Sequence, residues 1–344
     1  MWFFSLINYI FCVERSDEMS FIEVKHLRKT FKVAERSSGK FGALKSFFNR
    51  KYKYINAIDD ISFSIKKGEI VGYIGPNGAG KSTTIKILSG ILTPDSGVVK
   101  IDNMVPYLER KKYVSEIGVV FGQRSQLWWD IPAIDSFNLL KDIYNISSDD
   151  YNKTLNELIK LLNLKDIINI PVRQLSLGNR MRCEIAASLL HKPKILFLDE
   201  PTIGLDAVSK KIVRDFIKKI NKENKVTVIL TTHDMSDIAS LANRVILIGK
   251  GKKLYDGSFK KIKEDYDYLR KIKVITKDKI ELDGDYIYSK KNIKDGIIYV
   301  IDIRKIDISK FINILSSKIS IIDIDIEDNN LDDIIVKLYE EFGI

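Results

Sequence analysis

The sequence predicts an α/β protein with a mostly parallel, doubly wound sheet at its centre. Two observations predict this core. Short apolar strands alternate with segments of helical period between Ile70 and Leu230, and Ser125–Leu175, within that stretch, is largely helical in pattern. A third observation marks off a last domain, because glycines become rare and the pattern changes beyond Ser258. We therefore expect a helical lobe inserted into the core and a small α+β domain at the C-terminus.

The predicted strands fall into two kinds. Phe21–Val24 and Ile61–Ile65 alternate apolar and polar residues, as strands with one solvated face do, and we assign them to an N-terminal antiparallel β-subdomain. Ile70–Ile74, Ile195–Leu198 and Val226–Leu230 are short apolar runs, which is typical of strands covered on both faces. Since helical segments separate these three runs, they are expected to lie parallel in one sheet.

Helical periodicity follows the first of these apolar strands. A helix that begins near Lys81 carries Ile85, Leu88 and Leu92 on one face, so it has an apolar side to bury against the sheet. The inserted lobe, at about residues 125–175, has apolar residues near the same spacing.

The last domain, residues 258–344, has the pattern of a small βαβ-like unit. Val300–Arg304 and Ile321–Ile326 largely alternate as strands do, and Ile308–Leu315 between them is helical in pattern. Leu331–Phe342 predicts a final helix.

The residues before the first strand are interpreted as a tail. Met1–Val13 is apolar, but it is shorter than the roughly 20 residues that a membrane span needs. It also lacks the basic region and the small-residue cleavage site of a secretory signal. We expect residues 1–19 to be an N-terminal tail and residues 20–257 to be the main domain.

Composition limits the classes of protein to consider. Of 344 residues, 45 % are hydrophobic and 30 % are charged, which argues against a disordered chain. The formal net charge of +10 suits an anionic partner, although lysines on solvated faces account for it more simply. The two cysteines, Cys12 and Cys183, are far apart, and the histidines form no cluster with metal-ligand spacing. A disulfide framework and a structural zinc site are therefore not expected.

A basic insertion interrupts the β-subdomain. Lys32–Lys53 contains seven Lys or Arg residues against one acid, Glu35. Its apolar residues have the spacing of one helical face; they are Phe41, Leu44, Phe47 and Phe48. Such a segment either lies on an anionic membrane surface or a partner, or packs on its own β-subdomain, and the sequence leaves both open.

A phosphate-binding loop follows the strand Ile70–Ile74. Gly75–Ser82 is GPNGAGKS, which matches the G-x-x-x-x-G-K-[ST] pattern between an apolar strand and an amphipathic helix. Glycines let backbone N–H groups face phosphate oxygens, Lys81 adds a positive charge, and the Ser82 hydroxyl ligates Mg²⁺. The residues predicted to bind ATP here are Gly75, Pro76, Asn77, Gly78, Ala79, Gly80, Lys81, Ser82 and Thr83.

Two carboxylates end the predicted strand Ile195–Leu198. The sheet would deliver Asp199 to the phosphate site, where it holds Mg²⁺ directly or through water. Glu200 is then placed to orient or activate the attacking water. Without other motifs, two acids after a buried strand would be interpreted as the solvated end of that strand. The phosphate loop upstream favours the interpretation that they are catalytic.

Further motifs occur in the order found in the ABC ATPase family, which this sequence resembles over about residues 20–257. Gln123 resembles the Q-loop glutamine of that family, and Leu175–Asn179 (LSLGN) resembles its signature motif. Gly204–Asp206 resembles the D-loop, and His233 the switch histidine. The resemblance implies a P-loop NTPase core.

The signature motif departs from the family's usual L-S-G-G-Q at two positions. Leu177 replaces a glycine and Asn179 replaces a glutamine, whereas Ser176 and Gly178 are retained. Because Arg180–Cys183 leads into a helix rich in Ala and Leu, the motif presents N–H groups at a helix N-terminus, which is an anion site. The departures bear on the hydrolysis rate and dimer affinity more than on family membership.

The resemblance implies a role for each of these residues in a dimer of two identical chains around two ATP molecules. Ser176, Gly178 and Asp206 would contact the ATP that the other copy holds. The implied catalytic residues are Glu200, His233 and Gln123. The implied Mg²⁺ ligands are Ser82, Gln123 and Asp199.

The family stacks adenine on an aromatic residue after the first strand. Tyr52 fits by its distance upstream of Gly75, with Tyr54 next to it, whereas Phe31 fits by its local sequence. We assign Tyr52, and local packing of each ring is the alternative.

The resemblance is strongest to the ATPase subunits of exporter-type systems that pair with a separate permease, which Leu196–Asp206 (LFLDEPTIGLD) fits well. It implies an ATPase that uses ATP and Mg²⁺, with a second copy and a polytopic membrane permease as partners. The protein would lie on the cytoplasmic face of the membrane through that permease. Trp128 and Trp129 would line the docking groove, unless they pack in the core.

A soluble ABC-type ATPase acting on the ribosome or on nucleic acid is the alternative function. Relatives of that kind typically carry two such domains or a long coiled coil, and neither is visible in the sequence. We therefore expect no nucleic-acid partner.

Overall fold

The computed structural model describes residues 20–34, 52–122, 124–266, 268–278, 281–328 and 331–343. The chain forms two compact units that divide between Gly257 and Ser258. The predicted tail, residues 1–19, and most of the basic insertion lie outside the described residues. Within the described ranges, no helix is both long enough and apolar enough to cross a membrane.

The strands of the first unit are β1 (Ile22–Ala34), β2 (Tyr52–Ile65), β3 (Ile70–Ile74), β4 (Ser96–Ile101), β5 (Ile117–Phe121), β6 (Ile195–Asp199), β7 (Thr227–Thr231), β8 (Arg244–Gly249) and β9 (Lys252–Ser258). Its helices are α1 (Lys81–Leu88), α2 (Arg110–Val114), α3 (Ala133–Ile143), α4 (Ser148–Leu161), α5 (Leu177–Ala187), α6 (Ala207–Asn224) and α7 (Met235–Leu241), with a 3₁₀ turn at Val172–Gln174.

A three-stranded antiparallel sheet, in the order β2-β1-β4, forms the predicted β-subdomain. Its strands alternate as the sequence does, and the apolar side chains of one face are buried; they include Ile22, Val24, Leu27, Ile61, Phe63 and Val99. The antiparallel β-subdomain is confirmed.

The first two strands are longer than the alternation predicts, which corrects the position of the basic insertion. β1 and β2 stay paired until Ala34 lies opposite Tyr52, so both ends of the predicted insertion Lys32–Lys53 belong to strands. The break in alternation is absorbed by a register shift within residues 24–27, where His26 takes a left-handed φ of 52°. A bulge of this kind lets a strand continue past a polar interruption.

The central sheet has six strands in the order β5-β6-β7-β3-β8-β9. Pairing is parallel from β5 through β8, as the separation of the apolar runs by helices predicts. The register places Phe121, Asp199 and Thr231 side by side at the last positions of β5, β6 and β7. The loops that carry the sequence motifs therefore leave the sheet at one edge.

Close packing of helices covers this sheet. Gly72 in β3 leaves room for α7, since a Cβ there would lie 2.6 Å from Ile238 Cδ1. The strands β6, β7 and β8 are apolar because they are covered on both faces, and nearly every side chain in them is buried.

The helical lobe contains α3, α4 and the 3₁₀ turn, and α5 packs against both helices. The helix α4 begins after Ser147, whose Oγ accepts a hydrogen bond from the Asp150 N–H at 3.2 Å. It buries Tyr151, Leu155 and Leu158 on one face, in accord with its helical period.

The second unit contains β10 (Leu269–Ile275), β11 (Ile287–Ile293), β12 (Gly296–Asp302) and β13 (Asp323–Asp328), with helices α8 (Phe259–Tyr266), α9 (Ile308–Lys318) and α10 (Leu331–Glu341). Its sheet has the order β11-β12-β10-β13, and each pairing is antiparallel. The connection β12–α9–β13 therefore joins two parallel strands with β10 between them, which is a split βαβ arrangement.

The strand predicted at Val300–Arg304 begins and ends earlier in the structure. β12 starts at Gly296 and stops at Asp302, whose carboxylate accepts hydrogen bonds from the N–H and the guanidinium of Arg304. That turn ends the strand. The core of the unit is built around Tyr299 and Phe311, whose ring centroids are 5.5 Å apart with the edge of one ring towards the face of the other.

Candidate nucleotide site

A cavity of about 510 Å³ lies at the carboxyl edge of the central sheet. Parallel strands place their following loops together at this edge, which is where ligands bind in open α/β sheets. The residues that line the cavity are Asn77, Ser82, Lys86, Phe121, Gly122, Arg124, Asp199, Glu200, Ile203 and His233. Five of the predicted site residues are among them: Asn77, Ser82, Asp199, Glu200 and His233.

The phosphate loop holds Lys81 at the first position of α1. The side chain is buried, and its Nζ donates hydrogen bonds to the carbonyl oxygens of Gly75 at 2.6 Å and Pro76 at 3.1 Å. Burial lowers the pKa of the Lys81 ammonium, and the carboxylates of Glu200 and Asp199 offset part of that effect. The loop thus fixes a positive charge at the helix N-terminus, where anions bind.

Gly80 sets how closely the phosphate loop approaches the β-subdomain. It has a φ of +106°, and a Cβ at this position would clash with the Ala57 carbonyl oxygen of β2. Any other residue would be strained in its backbone and would also push β2 away. The glycine of the motif therefore serves the packing of the loop as well as its approach to phosphate.

The acidic end of β6 lies next to the phosphate loop. Asp199 Oδ1 is 3.5 Å from Ser82 Oγ, and it also accepts a hydrogen bond from the Thr231 hydroxyl of β7. Hydroxyl and carboxylate oxygens are ligands that Mg²⁺ prefers, so this donor set fits the ion that the sequence predicts. Thr231 was not predicted, although polar residues directly after a buried strand were a signal for it.

The next residue, Glu200, leaves the strand in an unusual conformation. It has a φ of +56°, and its N–H donates to the Thr231 carbonyl at 3.0 Å. Its Oε1 lies 2.7 Å from His233 Nε2. A left-handed φ is rare outside glycine, and here it turns the carboxylate into the cavity and onto the histidine.

A buried carboxylate on α7 links the two loops that carry this pair. Asp237 is fully buried, and it accepts hydrogen bonds from the hydroxyls of Thr202 and Thr232, the latter at 3.1 Å. These threonines lie close in sequence to Glu200 and His233. Asp237 therefore joins the two loops that carry the candidate catalytic residues, a contact that no sequence pattern predicts.

The signature motif forms the N-terminus of α5. Ser176 is the N-cap, and its Oγ accepts a hydrogen bond from the Asn179 N–H at 3.2 Å. Gly178 is buried against the start of α6, where an added Cβ would clash with Ser209 Oγ. The residues of this motif are not among the described residues that line the nucleotide cavity.

The carboxylate of Asp206 caps its own helix. It accepts hydrogen bonds from the N–H groups of Val208 and Ser209, both at 2.9 Å, and from the Ser209 hydroxyl at 2.7 Å. These bonds, led by the Ser209 N–H, hold the pKa of Asp206 below its usual value. In one chain, both oxygens of this carboxylate serve α6.

The helix α5 also contacts the segment beyond β5. Glu184 is buried, and its carboxylate accepts hydrogen bonds from the Ser125 hydroxyl and from the Gln126 N–H at 3.1 Å. Burial raises the pKa of Glu184, and these hydrogen bonds oppose the rise. Glu184 thus ties the signature helix to the segment that follows Arg124, a residue of the cavity lining.

The roles of two predicted site residues, Gln123 and Tyr52, stay predictions. Gln123 lies outside the described residues, so its role stays a prediction. Tyr52 is 44 % exposed, and Lys32 Nζ lies 3.9 Å from its ring centroid. Phe31 is half-buried on the neighbouring strand, so the choice of adenine-stacking residue also stays a prediction.

Comparison with known proteins identifies the family. A family model described as ABC transporter matches residues 58–203. The ABC transporter ATP-binding protein NatA of Bacillus subtilis (strain 168) is 32 % identical over 233 residues, which cover 66 % of this chain and 94 % of NatA. The chain belongs to the ATP-binding proteins of ABC transporters. The linearmycin resistance ATP-binding protein LnrL of the same organism is 34 % identical over 201 residues, or 58 % of this chain and 64 % of LnrL.

A solved ABC structure resembles this ABC ATPase as well. The dimeric post-hydrolysis state of the ATP-binding cassette MJ0796, bound to ADP and Pi, superposes with a TM-score of 0.58 at 28 % identity and covers 69 % of this chain and 98 % of that one. The predicted family and the predicted P-loop NTPase fold are confirmed. This ABC ATPase binds and hydrolyses ATP as the ATP-driven subunit of a transporter.

Proposed function

We propose that two copies of this ABC ATPase close around two ATP molecules, use Mg²⁺, and drive export through a separate membrane permease. One observation supports the chemistry above all: Glu200 and His233 meet at 2.7 Å in the cavity that Ser82 and Asp199 also line. A carboxylate oriented by a histidine, beside a phosphate loop, is suited to activate water at the γ-phosphate.

The proposed roles follow from where each group lies. Lys81 and the N–H groups of the phosphate loop bind the phosphates, and Ser82 and Asp199 would hold Mg²⁺. The ion, when bound, neutralises charge on the phosphate oxygens. Glu200 takes a proton from the attacking water, and His233 orients Glu200 and contacts the γ-phosphate. Gln123, outside the described residues, would complete the contacts to water and metal.

The proposed dimer rests on the signature motif, whose residues are not among the described residues that line the nucleotide cavity of their own chain. The signature N-terminus presents an anion site in a chain that has its own phosphate loop elsewhere. An isologous dimer would place Ser176 and Gly178, with Asp206 behind them, on the ATP of the other copy. That the similar cassette MJ0796 forms a dimer supports this arrangement.

The proposed permease docks beside the segment that follows Gln123. Trp128 and Trp129 are 43 % and 50 % exposed, which fits contact with a partner better than core packing. The permease would hold this ATPase at the cytoplasmic face of the membrane. Export is supported by similarity to LnrL, a resistance protein by name, but a methionine import ATP-binding protein, MetN 2 of Enterococcus faecalis, is 33 % identical as well. The direction therefore has to be tested on the permease itself.

The test is affinity purification of tagged Glu200→Gln protein from detergent-solubilised membranes with ATP and Mg²⁺ present. We expect a multi-span membrane protein to be recovered in stoichiometric amount, and more of the ATPase dimer than with Lys81→Ala, which should not retain ATP. Reconstituting the recovered pair in vesicles would give the direction of transport. Recovery of ribosomes or nucleic acid without a membrane protein would contradict the proposal.

A further inference from the structure

A second cavity, of about 450 Å³, lies between α4 of the helical lobe and α6 of the core. Its lining includes Lys194 and Val226, which directly precede β6 and β7. The cavity is therefore at the amino edge of those strands, opposite the nucleotide site. We call it the α4–α6 cavity.

The floor of the α4–α6 cavity is apolar. Side chains from the lobe and from the core meet there and are largely buried; they are Leu158, Leu189, Phe216, Ile220 and Val226. A hydrocarbon chain placed on this floor would be removed from water, which is favourable in proportion to the area covered.

The rim of the cavity is strongly basic. Lys67, Lys153, Lys192, Lys194 and Lys225 line it, together with one acid, Glu157. Lys192 Nζ lies 3.4 Å from Asp150 Oδ1. Lys194 forms ion pairs with the carboxylates of Asp102 and Glu116, which lie outside the cavity lining. Within the described part of the chain, Lys153 and Lys225 form no ion pair. Among the described residues of the lining, Lys153 and Lys225 thus place positive charge beside the apolar floor without a partner carboxylate.

A buried hydroxyl in the lining lacks a hydrogen-bond partner. Thr154 is only 7 % exposed, and its Oγ1 makes no hydrogen bond to any described residue. Buried polar atoms are usually paired, and one that is not calls for an explanation. Thr154 and Lys153 both line the cavity from α4, so α4 contributes an unpaired hydroxyl and an unpaired ammonium group to it.

We propose that the α4–α6 cavity binds a small amphipathic organic anion, such as a medium-chain carboxylate. Its chain lies on the apolar floor, and its carboxylate lies among Lys153, Lys225 and the Thr154 hydroxyl. A neutral apolar ligand would form no ionic contact with the lysines, and a polyphosphate would form no apolar contact with the floor. Because the ligand would touch both α4 and α6, it would link the lobe to the core from the side away from ATP.

Isothermal titration calorimetry with octanoate, on the full chain saturated with ADP and Mg²⁺, tests the ligand class. We expect octanoate to bind and each methylene between butanoate and octanoate to tighten binding by up to about fourfold, the equivalent of ~0.8 kcal/mol per buried CH₂. Octylamine, with the same chain and the opposite charge, should not bind. Absence of octanoate binding to this ADP-saturated protein, or equal binding of octylamine, would overturn the proposal.

Substitutions locate the site. The double variant Lys153→Gln, Lys225→Gln should weaken octanoate binding about tenfold, since two of the nearest positive charges are lost. Lys160→Gln, on the same helix outside the lining, is the matched control and should bind like the parent. Thr154→Val removes the hydroxyl at nearly constant shape and should also weaken binding. All of these variants should hydrolyse ATP at the parent rate, which shows that they are folded. If the double variant binds octanoate as tightly as Lys160→Gln does, the α4–α6 cavity is not the site.

Discussion

The first unit contains two candidate parts of a nucleotide site. We call them the phosphate-loop side (Ser82, Asp199, Glu200 and His233) and the signature side (Ser176, Gly178 and Asp206), and they differ in what their side chains do within one chain. On the first side, Ser82, Asp199, Glu200 and His233 line one cavity. The Thr231 hydroxyl donates a hydrogen bond to Asp199 and accepts one from the Glu200 N–H. On the second side, the Ser176 hydroxyl caps its own helix, as the carboxylate of Asp206 also does.

This difference indicates that the two sides use their side chains for different purposes. The phosphate-loop side turns charged side chains towards one cavity, so the groups of the proposed chemistry lie together within one chain. The signature side uses its side chains for local structure, and what it presents is a rigid surface with the N–H groups of the first turn of α5, which have no partner within the helix. The second side is therefore expected to depend on shape and backbone, and the first on side-chain chemistry.

Glu200→Gln should have the largest effect, because it removes the proposed base while it keeps the size of the side chain. We expect kcat for ATP hydrolysis to fall about 10²- to 10⁴-fold while ATP binding is retained. Nucleotide binding by fluorescence and turnover by phosphate release measure the two effects. Glu223→Gln, an exposed glutamate on α6, is the control. If Glu200→Gln hydrolyses ATP at the parent rate, the proposed role of Glu200 as the base on the phosphate-loop side is wrong.

Mixing two inactive variants tests whether the two sides work across chains. Lys81→Ala disables one side and Ser176→Arg the other, so each variant alone should be inactive. Random mixing should restore about a quarter of parent activity, since half of the dimers are mixed and each has one intact site. Steady-state ATPase assays of co-expressed chains measure this. If the mixture stays inactive, both sides must act within one chain.

Gly178→Ala tests the prediction that the signature side depends on shape. The added methyl would meet Ser209 and should lower the free energy of unfolding of the first unit by about 1–3 kcal/mol, as overpacking does. Ser209→Gly, which vacates that space, should restore much of the loss in the double variant. Calorimetric unfolding measures both. Additive losses in the double variant would show that the two residues do not pack against each other.

Glu184→Gln should have the smallest effect, visible in the pH dependence of stability. Burial raises the pKa of the Glu184 carboxyl above its ordinary value of 4.5, so the folded state keeps the proton to higher pH than the unfolded state does. This group therefore lowers the free energy of unfolding as the pH rises through that window. The variant lacks this titration, so its stability relative to the parent should rise as the pH increases above about 4.5. A pH-independent difference in urea unfolding would contradict the assignment.

The sequence predicts which residues meet at this cavity better than it predicts the side chains that support them. Gly75–Ser82 and Asp199–Glu200 are recognisable because phosphate chemistry needs those residue types at fixed spacing along a strand, a loop and a helix. Asp237 and Glu184 were missed because their hydrogen bonds join residues 35 and 59 positions apart. A buried carboxylate looks like a solvated one in a sequence, since only the fold supplies its partners.

The fold shows the same limit. The parallel core follows from apolar runs between helices, whereas the length of β1 does not follow from alternation, because a bulge shifts the pattern by one face. The strands β10 and β11 were not predicted. β11 is mostly exposed and lies at a sheet edge, so it lacks the apolar face by which strands are recognised.

The pairing of Ala34 with Tyr52 has a practical consequence for protein engineering. The chain between these residues is anchored at both ends on an antiparallel ladder, and β2 continues from there to the contact between Ala57 and Gly80. Closing a longer loop on a fixed ladder adds only about 0.6 kcal/mol for each doubling of its length. This hairpin is therefore a suitable place to insert a reporter or an epitope, because the ladder separates the insert from the phosphate loop.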